Sequence, residues 1–313
     1  RLTYRLEDKI NYVYTKLEAY NPTGSIKDRV AYYIIVKAMQ RGELKENMPL
    51  VEATSGNTGI SLAAFGAYFH HPVYIFMPDW ASVERVKLMQ NYGAHVTLIS
   101  KEEGGFRKCL EEAKRFATEN NGFLTNQFSN TDNLLAHYET TGEEIIRKLP
   151  EKISAFISGV GTGGTLIGVG KKLKKYDDEI KIIAMEPDKM PLISQNKIIS
   201  NHKIEGIGDD FIPDLFNRDL VDDVILVNDD DAVNMSRRLA KELGLGVGIS
   251  SGANLIASAI YQSANFPKEV CKPVVTVFAD DNKKYLSTDL SKEIDENENF
   301  WSNKIKLLNY EVL

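Results

Sequence analysis

The lysine at position 27 has the sequence context of a reactive amine. It stands in the segment NPTGSIKDR (residues 21–29), between a glycine turn and a predicted helix start. Burial there would disfavour the ammonium form and leave a neutral amine, which can form a Schiff base with an aldehyde. The alternative is that Lys27 is one of 38 lysine and arginine residues on a solvated face.

A first glycine-rich turn, TSGNTG at residues 54–59, follows a predicted strand. The hydroxyls of Thr54, Ser55 and Thr58 and the amide of Asn57 can donate hydrogen bonds, and the helix start presents free N–H groups. The turn therefore predicts a site for a carboxylate or a ring oxygen. The alternative is a plain strand-to-helix turn with an Asn or Thr cap.

A second glycine-rich turn, GTGGT at residues 161–165, lies between a predicted strand and a predicted helix over 166–175. Successive N–H groups at a helix start, with the hydroxyls of Thr162 and Thr165, form a cradle for phosphate. The same region also contains the pattern G-x-G-x-x-G over residues 159–164, and Glu186 follows ~20 residues later, as in a dinucleotide-binding unit. That fingerprint normally occupies the first βα unit, whereas here it lies mid-chain.

A third turn, GISSG at residues 248–252, precedes a helix predicted over 253–262. Ser250 is a candidate contact for a bound ring. The alternative is that Ser250 only caps the helix.

The elements that must position these turns alternate along the chain. The predicted strands span 49–53, 73–77, 95–99, 154–158, 181–186 and 274–279, and the predicted helices include 83–91, 106–120 and 134–148. This alternation predicts an α/β fold with mostly parallel, twisted sheets covered by helices. We predict two interleaved domains, a smaller one over residues 23–128 and a larger one from residues 1–22 plus 129–313. The segment 289–313, acidic and then apolar, is predicted to be a docking arm or frayed.

Composition places the chain among globular proteins with small-molecule partners. Its 313 residues carry a formal net charge of −6, with no long basic run to attract nucleic acid or an anionic membrane. No apolar stretch reaches the ~20 residues that span a bilayer. The two cysteines, Cys109 and Cys271, have no metal-like spacing and predict neither a disulfide framework nor a zinc site, which favours the reducing cytoplasm.

The motifs together resemble the cysteine synthase and cystathionine β-synthase family of pyridoxal-phosphate enzymes. Besides the lysine and the three turns, the resemblance includes NQF (126–128), EGIG (205–208) and YLST (285–288), so that it covers nearly the whole chain. It implies the fold-type-II architecture, with the cofactor pyridoxal 5′-phosphate in the cleft between two domains. It also implies a homodimer, whereas an acetyltransferase partner is left unsupported.

The resemblance assigns roles to particular residues. Lys27 would hold the cofactor as a Schiff base, Asn57 would bind its 3′ oxygen, and Ser250 would meet the pyridine nitrogen. A neutral hydroxyl there makes the ring a milder electron sink than a carboxylate would. The phosphate would bind Gly161, Thr162, Gly163, Gly164 and Thr165. The substrate, through its α-carboxylate, would bind Thr54, Ser55, Gly56, Thr58, Gln127 and Gly206, with Ser55 also counted among the catalytic candidates. Substrate binding would close the smaller domain over the site.

The implied reaction is a β-replacement on a β-substituted alanine. Lys27, once displaced from the cofactor, removes the α-proton, the β-substituent leaves, and a nucleophile adds to the remaining aminoacrylate.

Asp209 and Asp210 are the residues that bear on which β-replacement occurs. They lie in GIGDDFIP (206–213), where related cysteine synthases carry small uncharged residues and cystathionine β-synthases carry an aromatic residue and then an aspartate. A carboxylate near Cβ would repel hydrosulfide but could deprotonate water or a thiol. This favours L-cysteine as donor, with release of hydrogen sulfide and addition of water or a thiol to give serine or a thioether. The alternatives are a cysteine synthase using O-acetylserine and sulfide, a condensation with homocysteine, or a solvated acidic loop.

Two other classes stay open at this stage. A nicotinamide dehydrogenase would use the glycines of 159–164 and Glu186. A catalytically silent binding subunit would keep the fold, but it should have lost Lys27 or the turn containing Asn57.

Overall fold

The computed structural model describes residues 1–266, 272–293 and 297–313, which form two β-sheets covered by helices. Cys271 lies outside the described residues. Cys109 is a buried free thiol, and burial raises its pKa to about 11. Along the described ranges, none of the helices is both long enough and apolar enough to cross a membrane.

The strands include the six that the sequence predicted, each end within about one residue, which is the usual uncertainty of an element boundary. In chain order the strands are β1 (Leu2–Leu6), β2 (Lys9–Leu17), β3 (Leu50–Ala53), β4 (Val73–Pro78), β5 (His95–Ile99), β6 (Phe123–Leu124), β7 (Ala155–Gly159), β8 (Lys181–Pro187), β9 (Asp223–Val227), β10 (Val274–Phe278) and β11 (Ile305–Tyr310).

The helices lie between these strands and cover both sheets. They are α1 (Lys27–Gln40), α2 (Asn57–Phe69), α3 (Val83–Asn91), α4 (Gly105–Glu119), α5 (Thr131–Ala136), α6 (Gly142–Lys148), α7 (Gly164–Tyr176), α8 (Leu192–Gln195), α9 (Asp229–Leu243), α10 (Ile249–Asn265) and α11 (Trp301–Lys304). Single 3₁₀ turns occur at Glu18–Tyr20, Arg218–Leu220, Asn282–Tyr285 and Asp289–Ser291.

The helix predicted over 134–148 differs from the prediction in two ways. It begins earlier, at α5, because the Asn130 side chain caps it by accepting a hydrogen bond from the backbone N–H of Asp132. It then contains a π-helical turn, His137–Thr141, in which the Gly142 N–H donates to the carbonyl of His137. Such a turn inserts one residue into the helix, a feature that hydrophobic periodicity does not reveal.

Within the residues that the structure describes, the larger sheet has seven strands in the order β11-β1-β2-β10-β7-β8-β9. The five strands from β2 to β9 are parallel, whereas β1 and β11 add an antiparallel edge. Because β11 pairs with β1 and buries Ile305 and Leu307, the prediction that the segment 289–313 is frayed is wrong for this strand, whereas its role as a docking arm stays a prediction.

In the described part of the chain, the smaller sheet has four parallel strands in the order β5-β4-β3-β6, all from residues 50–124. Every residue of β3 is buried, as expected for a central parallel strand covered on both faces. The strands therefore divide between the two sheets as the predicted domains require. The exact boundary of the smaller domain, 23–128, and its closure over the site stay predictions.

The carboxyl ends of three buried strands meet at one cleft. β3 leads into Thr54, β7 leads into the loop before Gly161, and β10 leads into Asp280, and all three positions line the same cavity. The carboxyl edge of parallel strands is the usual place for a ligand site in α/β folds.

Candidate active site

Lys27 is the first residue of α1, and the turn before it is fastened to the end of β10. The Ile26 N–H donates to the Ala279 carbonyl at 2.8 Å, and the buried Lys284 ammonium donates to the Gly24 carbonyl at 2.7 Å. Gly24 has a φ of 78°, a backbone conformation that would be strained in a residue with a side chain. Lys27 lines the cleft, and desolvation lowers its pKa, although Asp280 and Asp209 oppose this. Burial therefore shifts Lys27 toward the neutral amine that the predicted chemistry needs, and the two carboxylates shift it back toward the ammonium form.

The first glycine-rich turn presents its polar groups to the cleft. Asn57 begins α2 and donates a hydrogen bond through Nδ2 to Asp280 Oδ2 at 2.7 Å, while its Oδ1 is buried with no partner among the described residues. The Gly56 N–H donates to Thr54 Oγ1 at 3.1 Å, and Ser55 is exposed at the mouth of the cleft. The Asn57 amide is therefore hydrogen-bonded at Nδ2, while Oδ1 has no partner among the described residues.

Gln127 is fixed against the first turn by both ends of its amide. Its Oε1 accepts from the Thr58 hydroxyl at 2.6 Å, and its Nε2 donates to the Ala53 carbonyl at 3.0 Å. The backbone N–H of Gln127 donates to the buried Glu52 carboxylate at 3.0 Å. The predicted carboxylate-binding groups of the turn and of Gln127 are thereby brought together.

The second glycine-rich turn has the geometry of an anion cradle. Gly163 has a φ of 82°, and an added Cβ at Gly161 would overlap the carbonyl of Gly206. The N–H groups that follow open α7, a 13-residue helix whose first turn lacks intrahelical acceptors. Gly164 does not line the cleft, and its backbone N–H donates to Thr162 Oγ1 at 3.3 Å.

His137, which the sequence did not single out, supports this loop from below. Its Nε2 lies 3.2 Å from Thr165 Oγ1 and its Nδ1 lies 3.0 Å from Thr141 Oγ1. Burial, with the nearby charge of Lys27, lowers the pKa of His137 well below its ordinary value, so the ring is neutral. The π-helical turn places this ring under the phosphate cradle, and that turn is why periodicity alone did not reveal it.

Ser250 lies inside the first turn of α10, which begins at Ile249 after Gly248. It is therefore not the N-cap, and the interpretation of Ser250 as a capping residue is wrong. Ser250 lines the cleft, as Asp280 does.

The two neighbouring aspartates have different surroundings. Asp209 lines the cleft, and its pKa is raised to about 6, mainly by burial and then by the charge of Asp210, with Lys27 acting in the opposite sense. Asp210 instead faces the surface, where its carboxylate pairs with the exposed Arg107 at 3.3 Å. The structure brings Asp209 into the cleft and leaves Asp210 outside it.

Glu186 does not face the second glycine-rich turn. Its carboxylate is 2% exposed and accepts from the N–H groups of Ile193 and Ser194 at 2.8 and 3.0 Å. It caps α8 and is not among the residues that line the cleft.

Four cleft residues, Arg85, Glu205, Asp280 and Tyr285, were missed because they stand outside the glycine-rich turns. Arg85 on α3 pairs with Glu205 across the cleft and covers the Tyr285 ring, with its guanidinium carbon 4.5 Å from the ring centre. Asp280 is 1% exposed and also accepts a hydrogen bond from the Tyr285 hydroxyl. The quoted segments 205–208 and 285–288 were the signals that could have pointed to Glu205 and Tyr285.

Comparison with known proteins identifies the family. A family model described as pyridoxal-phosphate dependent enzyme matches residues 2–280. The chain belongs to this family. Cysteine synthase from Staphylococcus aureus (strain Mu50) is 43% identical over 288 residues, covering 91% of each chain.

Solved structures of related enzymes superpose on 90% or more of the chain. A hydrogen sulfide-producing enzyme from Fusobacterium nucleatum has a TM-score of 0.93 at 46% identity, covering 98% of this chain and 92% of that chain. An aspartate-to-asparagine variant of that enzyme, in complex with an α-aminoacrylate intermediate, has a TM-score of 0.94 at the same identity and coverage. Cysteine synthase from Entamoeba histolytica has a TM-score of 0.83 at 40% identity, covering 90% of this chain and 83% of that chain.

These findings confirm the predicted fold and cofactor. The chain is a fold-type-II, pyridoxal-phosphate dependent enzyme of cysteine metabolism that performs β-replacement through an aminoacrylate. The dinucleotide interpretation of residues 159–164 is wrong, in agreement with the position of Glu186.

The cleft residues fit pyridoxal phosphate. The Lys27 amine suits the aldehyde, the second N–H of Asn57 Nδ2 suits the 3′ oxygen, and the α7 N-terminus suits the phosphate. An added Cβ at Gly161 or Gly163 would meet backbone atoms, so the close approach that the cradle requires depends on glycine. When bound, the cofactor supplies the electron sink that stabilises negative charge at the substrate α-carbon.

Proposed function

We infer that the enzyme uses L-cysteine as donor, releases hydrogen sulfide, and adds water or a thiol at Cβ. The observation that carries this proposal is the Asp209 carboxylate, which lines the cleft with a pKa raised to about 6. Such a carboxylate is largely ionised at neutral pH, yet it is basic enough to accept a proton from a nucleophile.

The charge of Asp209 bears on the direction of the sulfur chemistry. Hydrosulfide entering the cleft would meet a carboxylate of the same sign, which opposes its addition. Water and an un-ionised thiol carry no charge, and Asp209 can accept the proton that either loses as it adds to Cβ. The same site therefore favours neutral nucleophiles over sulfide.

The atoms balance as follows when water is the nucleophile. Lys27 takes the α-proton, the Cβ–S bond breaks, and the sulfur leaves as hydrosulfide, HS⁻. The Cβ–O bond forms as Asp209 takes a proton from water, and Lys27 returns its proton to the α-carbon. The proton on Asp209 then passes to solvent, where it balances the protonation of hydrosulfide to hydrogen sulfide. The sum is L-cysteine plus water giving L-serine plus hydrogen sulfide. A thiol in place of water gives a thioether.

The relatives support both this proposal and one alternative. The Fusobacterium enzyme is described as producing hydrogen sulfide, and its aspartate variant is the one in complex with the aminoacrylate. The Staphylococcus and Bacillus relatives, at 43% and 41% identity, are named cysteine synthase and probable cysteine synthase. The alternative is therefore synthesis of L-cysteine from O-acetylserine and sulfide.

The deciding experiment compares the two reactions in one preparation of the holoenzyme. We expect hydrogen sulfide release from L-cysteine to be faster than L-cysteine formation from O-acetylserine and sulfide, with serine or a thioether identified by mass spectrometry. A much faster synthesis of L-cysteine would make the proposal wrong.

Asp209→Asn and Asp210→Asn form a matched pair for the role of the carboxylate. The first should keep a single-turnover release of hydrogen sulfide but lose product formation at least tenfold, because proton removal from the nucleophile is impaired. The second should keep multiple turnover, because Asp210 faces the surface. Equal turnover in both variants would remove Asp209 from the reaction.

A further inference from the structure

Asp280 occupies a junction beside the reactive lysine. It follows β10, and its backbone forms an antiparallel bridge with Ser25, two residues before Lys27. Its carbonyl accepts from the Gly248 N–H at 3.0 Å, which joins it to the start of α10. Asp280 is thus fixed between the segments that carry Lys27 and Ser250.

The side chain of Asp280 determines how Asn57 is oriented. Its Oδ2 accepts from Asn57 Nδ2 at 2.7 Å and from the Tyr285 hydroxyl at 2.5 Å. Because an ionised carboxylate can only accept hydrogen bonds, Asn57 must turn its NH₂ group toward Asp280. Burial and the charge of Asp280 raise the pKa of Tyr285 well above its ordinary value, so the hydroxyl keeps its proton and donates. The remaining N–H of Asn57 Nδ2 is left to donate to another group.

The other oxygen of Asp280 is a buried acceptor without a partner among the described residues. It lies against Gly248, where an added Cβ would overlap it, and the residue is only 1% exposed. A buried, unpaired carboxylate oxygen is costly unless a cation balances it. Lys27 and Asp280 line the same cleft, and the charge of Asp280 raises the pKa of Lys27 against the effect of desolvation, so a proton on the Lys27 nitrogen would balance this carboxylate.

We propose that Asp280 is a positioning residue for pyridoxal phosphate, which fixes the Asn57 amide with its N–H toward the 3′ oxygen and balances positive charge on the Lys27 nitrogen. The proposal requires the family reaction alone and does not depend on L-cysteine as donor. Its two parts make different predictions, since one concerns the direction of a hydrogen bond and the other concerns charge.

Asp280→Asn and Asp281→Asn are the matched variants for the charge. Asp281 is the neighbouring carboxylate, but it contacts Lys284 Nζ at 3.5 Å and accepts from the Lys283 N–H. The other groups that face Lys27 are Asp209, which raises its pKa, and His137, which is neutral. Neither substitution replaces Asp209 or His137.

The readout is the rate at which trinitrobenzenesulfonate modifies Lys27 in the cofactor-free protein, followed against pH by peptide mapping. Asp280→Asn should shift this profile to lower pH, because the charge that favours the ammonium form is lost. It should also weaken pyridoxal phosphate binding about tenfold, the effect of one charge-assisted hydrogen bond. Asp281→Asn should change neither. An unchanged profile in Asp280→Asn would overturn the proposal.

A double variant separates positioning from a purely structural role. Asn57→Asp combined with Asp280→Asn restores a carboxylate–amide pair with the two partners exchanged. Because the pair is kept, this double variant can still test the proposal if Asp280→Asn alone does not fold. The double variant should regain the original pH dependence of Lys27 modification, because a carboxylate is again present beside Lys27. It should not regain the affinity for pyridoxal phosphate, because that carboxylate then faces the 3′ oxygen. Recovery of the full affinity would show that Asp280 does not act by orienting the amide.

Discussion

The Arg85 guanidinium carbon lies 4.5 Å from the centre of the Tyr285 ring, and the same guanidinium pairs with the Glu205 carboxylate. Arg85 belongs to α3, beside the smaller sheet, whereas Glu205 and Tyr285 belong to the part of the chain that forms the larger sheet. This contact therefore joins the two sides of the cleft through a side chain that is 2% exposed.

Arg85→Ala should lower the free energy of unfolding by about 3 kcal/mol, the lower part of the range for a broken buried ion pair, because Glu205 is partly exposed. Urea denaturation of the cofactor-free protein measures this change. Arg107→Ala is the control, because its pair with Asp210 is exposed and should contribute less than about 1 kcal/mol. Equal losses in the two variants would contradict a special role for Arg85.

Glu52 should make stability decrease as pH rises. Burial raises its pKa to about 7, although hydrogen bonds from Thr125, Gln127 and Ala53 oppose this. The folded state then binds more protons than the unfolded state between about pH 4.5 and pH 7. The contribution of Glu52 to the free energy of unfolding is therefore fully present below about pH 4.5 and is lost as the pH rises to about 7. Glu52→Gln should flatten the unfolding free energy across these pH values, and an unchanged slope would count against the prediction.

Gly163→Ala should weaken cofactor binding at least tenfold. A side chain at a φ of 82° is strained by about 1–3 kcal/mol, and the added Cβ would lie 3.2 Å from the backbone nitrogen of Phe216. Gly244→Ala is the control, since Gly244 has a φ of 69° with open space around it. Equilibrium dialysis with pyridoxal phosphate should show no loss of affinity in the control.

The second half of the proposed reaction should slow below about pH 6. Asp209 must be ionised to accept a proton, and its pKa is raised to about 6. Asp210→Asn should shift this acidic limb to lower pH, because the charge of Asp210 is one cause of the raised pKa. Stopped-flow absorbance of product formation after premixing with L-cysteine gives the profile. If the decrease in rate below about pH 6 persists unchanged in Asp209→Asn, a group other than Asp209 causes it.

The sequence predicted the parts of the site that depend on local geometry. Gly161 and Gly163 are needed where backbone approaches backbone, and Lys27 and Asn57 each begin a helix after a turn, so short motifs reveal them. Five of the six predicted strands are buried, as expected of short apolar runs, but the prediction that 95–99 is buried is wrong, because β5 is a mostly exposed edge strand. The sequence analysis did not predict the parallel strands β6 and β9.

The remaining parts of the site depend on contacts between distant segments. Asp280 lies 223 residues from Asn57 in the chain, and Arg85 lies 120 residues from Glu205, so no local pattern links them. Asp209 and Asp210 have the same side chain, and only the folding of their loop decides which one faces the cleft. Glu186 matched a fingerprint by spacing but became a helix cap.

The hydrogen bonds of the Gln127 side chain have a consequence for the entropy of substrate binding. Both of its amide atoms are held by residues next to the smaller sheet, Thr58 and Ala53. The groups expected to receive a carboxylate are consequently ordered before any ligand arrives, and they keep their mutual geometry if the two sheets move apart. Their loss of rotamer freedom is part of folding, so it does not reduce the affinity for each new substrate molecule.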